Sequence, residues 1–425
     1  MSFQQGLSGL NATAKNLEVI GNNVANSNTF GAKASRAEFA DLYATALNGS
    51  GVNNTGIGVM LSAVSQQFTQ GNTVTTDNPM DLALNGNGFF EVSNGNGPVS
   101  YTRNGQFKVD RDGFIVNNNR EKLMGYLADG AGTIQPGQAV PLQVPTVGIT
   151  PAATDRIKLD VNLDARAAVT APADPNTVPQ IDLLDATTYN NATSVSVYDV
   201  KGQDVSLVYF FQKASTDTWN VYVTANGTPV VDDGAGNPLP STTITFPADG
   251  SSPTSPANGL TTIDLPSTTN SVGATTEPIL GIALNLAGAT QYGANFSVTD
   301  LSQNGYAPGQ LTGIQFESNG VITARYSNGQ FKAAGQVEIA NFRNPQGLQA
   351  QGGNTWARTF ASGDPIVGTP GDGNLGALLS GALEASNVDL TAELVNMITA
   401  QRTYQANAQT IKTQDQVLQT LVNLR

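Results

Sequence analysis

Cysteine and histidine are both missing from this 425-residue chain. Their absence excludes disulfides, thiolate or imidazole metal ligation, Cys and Ser-His nucleophilic machinery, and the side chain that titrates nearest neutrality. Charge is scarce as well, at 12% of residues, and no run approaches the ~18 apolar residues of a membrane-spanning helix. Proline is absent before Pro79 and after Pro370, whereas twelve of the twenty-one lie between Pro151 and Pro278. Long helix is therefore permitted at the two ends and opposed in the middle. The opening stretch MSFQQGLSGLNATAKNLEVI lacks a basic start, a continuous apolar core and a small-residue cleavage site, so no cleaved secretory signal is expected.

What is present is the vocabulary of a turn-rich β protein, with 45 Gly and much Asn, Thr, Ser, Gln and Ala. The length exceeds one ordinary core and predicts two to four domains. The net charge of -13 argues against nucleic acid or an anionic membrane surface as a partner. Most of it is central: residues 149–295 hold fourteen acids against five bases, a net of -9.

The two ends carry matched patterns. From Glu384 to Arg425 there is no Gly or Pro, and Leu390, Met397, Tyr404, Ile411 and Leu418 fall on a seven-residue grid. Four positions further on, Leu394, Ala408 and Val422 complete the stripe, interrupted by Gln401 and Asp415. At the other end Phe3, Leu10, Leu17 and Val24 repeat every seven residues, with Leu7 and Ala14 between them. A 3.5-residue spacing suits left-handed coiled-coil packing, so the expectation is one helical domain closed from the two termini. The C-terminal helix would run on the order of 60 Å at ~1.5 Å per residue. A stripe that long needs a second surface, and its terminal segments are expected to be loose in the monomer and to order on assembly.

Between the ends the signals change. Residues 29–46 are expected to begin as a turn and to regain helix around Glu38 to Tyr43, and a Gly/Asn-rich loop follows. From Met80 to Tyr126 short apolar runs alternate with Asn-Gly, Asp-Gly and Gly-Asn, the signature of tight hairpins. The acidic centre carries strands such as 194–200, 205–213 and 219–225 before a Pro/Ser/Thr-rich stretch. The earlier vocabulary then returns at 313–336, and the pentapeptide NGQFK occurs at both 104–108 and 328–332. The predicted fold is therefore multidomain. An α-helical coiled-coil domain comes from residues 1–72 and 366–425, a mostly-β discontinuous domain from 73–148 and 296–365, and an inserted all-β domain from 149–295.

No motif supplies chemistry. Residues 109–113, VDRDG, resemble part of a calcium loop, but with Gly113 at position six the first ligand would be Lys108 and the twelfth Asn119. Gly86-Asn87-Gly88 lacks the third glycine of a dinucleotide fingerprint. Asp110 and Asp112 are neighbours in a charged turn and read as solvated, not as a glycosidase pair. Trp219 and Trp356 read as core anchors, and the Tyr404 hydroxyl needs a partner on its stripe. No catalytic, cofactor-binding or metal-binding residues are expected, and the chain does not read as an enzyme.

Four stretches carry a resemblance: GLNATAKNLEVIGNNVANSNTFGAK (9–33), DLALNGNGFFEV with YTRNGQFKVDRDG (81–113), QNGYAPGQLTGIQFESNGVITARYSNGQ (303–330) and the whole of 381–425. The chain resembles the bacterial flagellar axial family of rod, hook and hook-associated proteins, and within it the hook branch. Two departures are local. The family usually has an aromatic after the glycine of its N-terminal motif, where this chain has Ala32, and often a glycine near Arg120.

The resemblance implies a subunit that polymerises with itself into the hook, the flexible tubular universal joint passing motor torque from rod to filament. It implies export through the flagellar type III apparatus, placing the product outside the cell. The partners it implies are a hook cap protein, the distal rod protein and the first hook-filament junction protein. A distal rod subunit would share the ends but lack the large insert. An extracellular β-rich adhesin would share the Asn/Thr/Gly-rich middle without needing two terminal seams.

Overall fold

A computed structural model describes residues 2–42, 56–95, 97–174 and 177–423. The described chain has two α-helices, one near each end, and a mostly-β body between them. It divides into two compact units, one built from residues 1–146, 312–325 and 331–425, the other from 147–311 and 326–330.

In the first unit, helix α1 spans Ser2–Ala25 and helix α2 spans Leu390–Asn423. The expected helix start at Glu384 is corrected. The carboxylate of Asp389 accepts the backbone N–H groups of Thr391 and Ala392 at 2.9 and 3.1 Å, an N-cap that fixes the first turn. Upstream of the cap, Ala382–Glu384 is a strand paired with Thr73–Thr75. The helix of 34 residues thus runs about 51 Å, shorter than the residue count from Glu384 suggested.

The helix expected around Glu38 to Tyr43 is also corrected, Tyr43 itself lying outside the described residues. Strand β1 (Ser35–Leu42) pairs antiparallel with β2 (Gly58–Gln66) along its length, from Ser35 opposite Gln66 to Leu42 opposite Gly58. Residues 36–42 lack a Gly or Pro that would break a helix, so composition alone left both states open; the cross-strand partner decided it.

The rest of this unit is β. Strands β3 (Thr73–Thr75), β4 (Leu82–Asn85) and β5 (Phe89–Ser93) lead into a large mixed-path sheet. Strands from before and after residues 147–311 share it. β5 pairs with Ile339–Asn341, Lys122–Leu127 with Phe331–Val337, and Ser100–Thr102 with Thr355–Ala357. Edge-to-face contacts among Phe68, Phe89, Phe342 and Trp356 fill one core, and the Trp356 indole donates to Gln66. Arg120 holds φ at 63°, in the left-handed region that glycine occupies without strain.

The second unit is all β. A four-stranded sheet (Leu260–Leu265, Ile279–Asn285, Arg156–Asn162, Ser297–Gln303) and a five-stranded sheet led by Asn191–Tyr198, Asp204–Ser215 and Thr218–Ala225 share one hydrophobic core. Ile157, Leu159, Val161, Tyr209, Phe211, Ile282 and Leu284 alternate inward along their strands, the period-two pattern of packed sheets. Trp219 is fully buried there and donates its indole N–H to Gln291 at 2.8 Å.

Candidate assembly interface

The two terminal helices lie antiparallel against each other. Near one end Gly6 faces Ile411 and Gly9 faces Asn407, and near the other Asn23 donates to the Glu393 carboxylate at 3.1 Å. On α1, Gly6, Thr13 and Ile20 are buried seven residues apart, with Gly9, Asn16 and Asn23 at the same spacing beside them, and of these Gly6, Gly9 and Asn23 meet α2 directly. A Cβ added at Gly6 would stand 3.2 Å from the Ile411 side chain, and one at Gly9 3.0 Å from the Asn407 amide. Glycine is what lets the two backbones approach.

Asn23 fastens this pair to the hairpin. Its amide nitrogen also donates to the Ser35 carbonyl at 2.8 Å, and its oxygen accepts the Ser35 N–H at 2.8 Å. Asn387 does the same before α2, accepting from Ala34 N–H at 2.7 Å and donating to the Gln67 carbonyl at 2.8 Å. Both amides thus satisfy backbone groups that neither helix nor hairpin could pair alone.

The apolar seams read from sequence lie mostly beside this contact. On α1, Phe3 and Leu7 are exposed at 45% and 44%, while Leu10, Ala14, Leu17 and Val24 are half-buried along the flank. On α2, Met397, Ala408 and Ile411 are half-buried, and Ile411 faces Gly6 of α1. Leu390, Leu394, Tyr404 and Leu418 are exposed, and the Val422 side chain falls outside the described residues. The single helix pair leaves an apolar row uncovered. Sequence reasoning weighted only apolar residues with a side chain and so passed over Gly6, Gly9, Thr13, Asn16 and Asn23, although their seven-residue spacing was equally readable.

It also passed over an ion cluster. Glu384, on the strand before α2, accepts from Lys33 Nζ at 2.6 Å and from Arg103 at 3.1 Å, with all three side chains almost fully buried. Its second role is to accept the Gly71 N–H at 2.9 Å, while its own carbonyl accepts the Gly31 N–H at 2.8 Å. Gly31 needs its left-handed φ of 71° here, and a Cβ would stand 2.5 Å from the Asn104 nitrogen. Lys33 also donates to the Thr69 carbonyl and Arg103 to the Gly86 carbonyl, at 2.8 and 2.9 Å. Burial pulls the Lys33 and Arg103 pKa values down, and the Glu384 carboxylate opposes that shift in each. Three segments from the first half of the chain converge on one carboxylate near its end. The sequence signal was three lone charges, each within a stretch that carried the family resemblance.

A second buried pair is Glu91 on β5 and Glu338 just before Ile339–Asn341, where β5 meets the returning segment. Tyr126 donates its hydroxyl to Glu338 at 2.8 Å, and one Glu91 oxygen has no hydrogen-bond partner among the described residues. Burial, and then the neighbouring Glu338, push the Glu91 carboxyl up to about 7. The pair is sealed in the sheet, without the solvent access a hydrolytic carboxylate pair requires.

Comparison with known proteins agrees along the whole chain. Residues 3–33 match the family described as flagella basal body rod protein, and 379–424 the flagellar basal body rod FlgEFG protein C-terminal family. Residues 83–171 match the flagellar hook protein FlgE/F/G D1 domain, and 162–306 the flagellar basal body protein FlaE D2 domain. The flagellar hook protein FlgE of Salmonella typhimurium is 42% identical over 427 residues, covering all of both chains. That of Escherichia coli is 40% identical over 439 residues, again with full coverage of both. That of Borreliella burgdorferi is 30% identical over 458 residues, covering all of this chain and 99% of the relative. Among solved structures, the Helicobacter pylori flagellar hook protein FlgE2 aligns with a TM-score of 0.52 at 16% identity, covering 73% of this chain and all of that one. At that identity the likeness speaks for the fold.

Proposed function

The chain belongs to the flagellar hook protein FlgE family, and on that premise we propose that this structural subunit polymerises through the outward faces of its paired terminal helices. It is a hook subunit and not an enzyme. The full-length relatives are hook proteins, which removes the rod and adhesin alternatives.

One observation carries the proposal. α1 and α2 meet at Gly6–Ile411, Gly9–Asn407 and Asn23–Glu393, while Phe3, Leu7, Leu390, Leu394 and Leu418 remain open to solvent. Exposed apolar rows on a helix pair are covered in a functional state by something, and repeated head-to-tail burial against sister subunits produces an open helical tube. Export by the flagellar type III apparatus, capping by a hook cap protein, and end contacts with the distal rod protein and the first hook-filament junction protein complete the reading. So does a division into a terminal helical domain, a discontinuous β domain and an inserted acidic domain, the last extended past the expected end at residue 295 to take in Ser297–Gln303, which pairs with Arg156–Asn162.

Removing residues 1–25 and 390–425 tests it. The trimmed protein should stay unpelleted at concentrations where the full chain forms tubes visible by electron microscopy. Regular tubes from the trimmed protein would end the proposal.

A further inference from the structure

Gly86-Asn87-Gly88, the stretch that lacks the third glycine of a dinucleotide fingerprint, links β4 to β5. Both glycines hold positive φ, at 116° and 130°, a region that L side chains avoid. The backbone on either side of the asparagine is fastened. Gly86 N–H donates to Gln70 Oε1 at 3.1 Å, the Gly86 carbonyl accepts from Arg103 at 2.9 Å, and the Asn87 carbonyl accepts the Gly376 N–H at 2.7 Å.

Two groups are left over. The Asn87 side chain is exposed and makes no hydrogen bond among the described residues, and the N–H of buried Gly88 has no acceptor there either. An orphaned N–H on a buried residue is rare in folded proteins. Here it lies beside an untethered carboxamide. Every other Asn-Gly pair among the described residues has one or both of these groups engaged. Asn226 is held at both ends of its amide, by Ser206 N–H at 2.9 Å and by Thr268 Oγ1 at 3.0 Å. Asn328 donates to the Ala307 carbonyl at 2.6 Å, while Gly329 N–H donates to the Tyr326 carbonyl at 3.1 Å. Gly105 N–H also lacks an acceptor, but the Asn104 side-chain oxygen already accepts the Gln106 N–H at 3.1 Å.

From this difference we propose that Asn87-Gly88 is a self-modifying site, converting to aspartyl and isoaspartyl forms within the folded chain. Solvent base takes the Gly88 amide proton, and the nitrogen attacks Asn87 Cγ in an intramolecular step. The new N–Cγ bond closes a succinimide ring as Cγ–Nδ2 breaks, and Nδ2 leaves as ammonia with a proton from water. Water then opens one of the two ring carbonyls. The net change is amide plus water to carboxylic acid plus ammonia, with no oxidant, metal or second protein required. In the isoaspartyl product Cβ and Cγ join the main chain, and the carbonyl that holds Gly376 becomes a free carboxylate branch.

Ageing the full chain at mildly alkaline pH, below its unfolding temperature, and mapping its peptides by tandem mass spectrometry tests this. The amide-to-acid mass change should appear at Asn87 roughly tenfold faster than at Asn226 or Asn328, whose groups must first break hydrogen bonds. Hydroxylamine, which attacks succinimides, should cleave the aged chain after Asn87 before it cleaves at those two sites. Full denaturation should bring the three rates together, since all three are Asn-Gly. A folded-state rate at Asn87 no higher than at Asn226 and Asn328, or a ranking that persists unchanged in denaturant, overturns the inference. The inference stands apart from the polymer reading, and neither outcome bears on it.

Discussion

Lys33 and Glu384 stand 351 residues apart in sequence and 2.6 Å apart in space, each with only 1% of its side chain exposed. With Arg103 completing the cluster, this carboxylate ties the segment after α1, the β body and the strand before α2 into one unit. Breaking a buried pair strands an uncompensated charge, whereas replacing all partners with apolar groups is often nearly neutral. Glu384→Gln should therefore destabilise the first unit by about 3–5 kcal/mol in urea unfolding. A Lys33→Met, Arg103→Met, Glu384→Leu triple variant should recover most of that loss.

The two glycine classes of α1 should respond oppositely. Gly9→Leu would drive atoms into Asn407, where even a Cβ stands at 3.0 Å, and should cost about 1–3 kcal/mol by overpacking. Nothing lies within 4 Å of a Cβ at Gly21, so Gly21→Ala should stabilise the helix by roughly 0.5–1 kcal/mol. Helical ellipticity during thermal unfolding reads both signs.

The Glu91–Glu338 pair sets a pH dependence. Glu91 titrates at about 7 in the folded chain against an ordinary 4.5, so between those values the folded state holds a proton that the unfolded state releases. Stability should thus be greatest at and below pH 4.5 from this group, decline as pH rises toward 7, and level off above it. The decline is on the order of 3 kcal/mol. Glu91→Gln should flatten it, as read from urea midpoints measured between pH 4 and 8.

Exposed seam positions should matter to the polymer and not to the subunit. Leu394 is 45% exposed, so Leu394→Asp should change monomer stability by less than about 0.5 kcal/mol. The same variant should fail to pellet under conditions where the parent does.

Periodicity was legible at both ends, so a pairing of the two terminal helices could be expected from it, whereas their antiparallel sense could not. The face of contact was not legible, because tight helix pairing uses residues too small to register as hydrophobic, such as Gly6 and Gly9. Hairpin dipeptides marked the β body correctly, but β1 was hidden: its strand state depends on β2, a partner that no local pattern names. Glu384 was hidden for the same reason. A buried ion looks like any acid until residues 33 and 103 are brought to it.

On the proposed function, the outward rows of the terminal helices are sheltered only by sister subunits. Hydrogen exchange on residues 2–25 and 390–423 should therefore differ between dilute monomer and assembled polymer. Marked slowing of exchange in the polymer, confined to these helices and to surfaces that meet neighbours, is the expected result. Equal protection of both helices in the two states would contradict it.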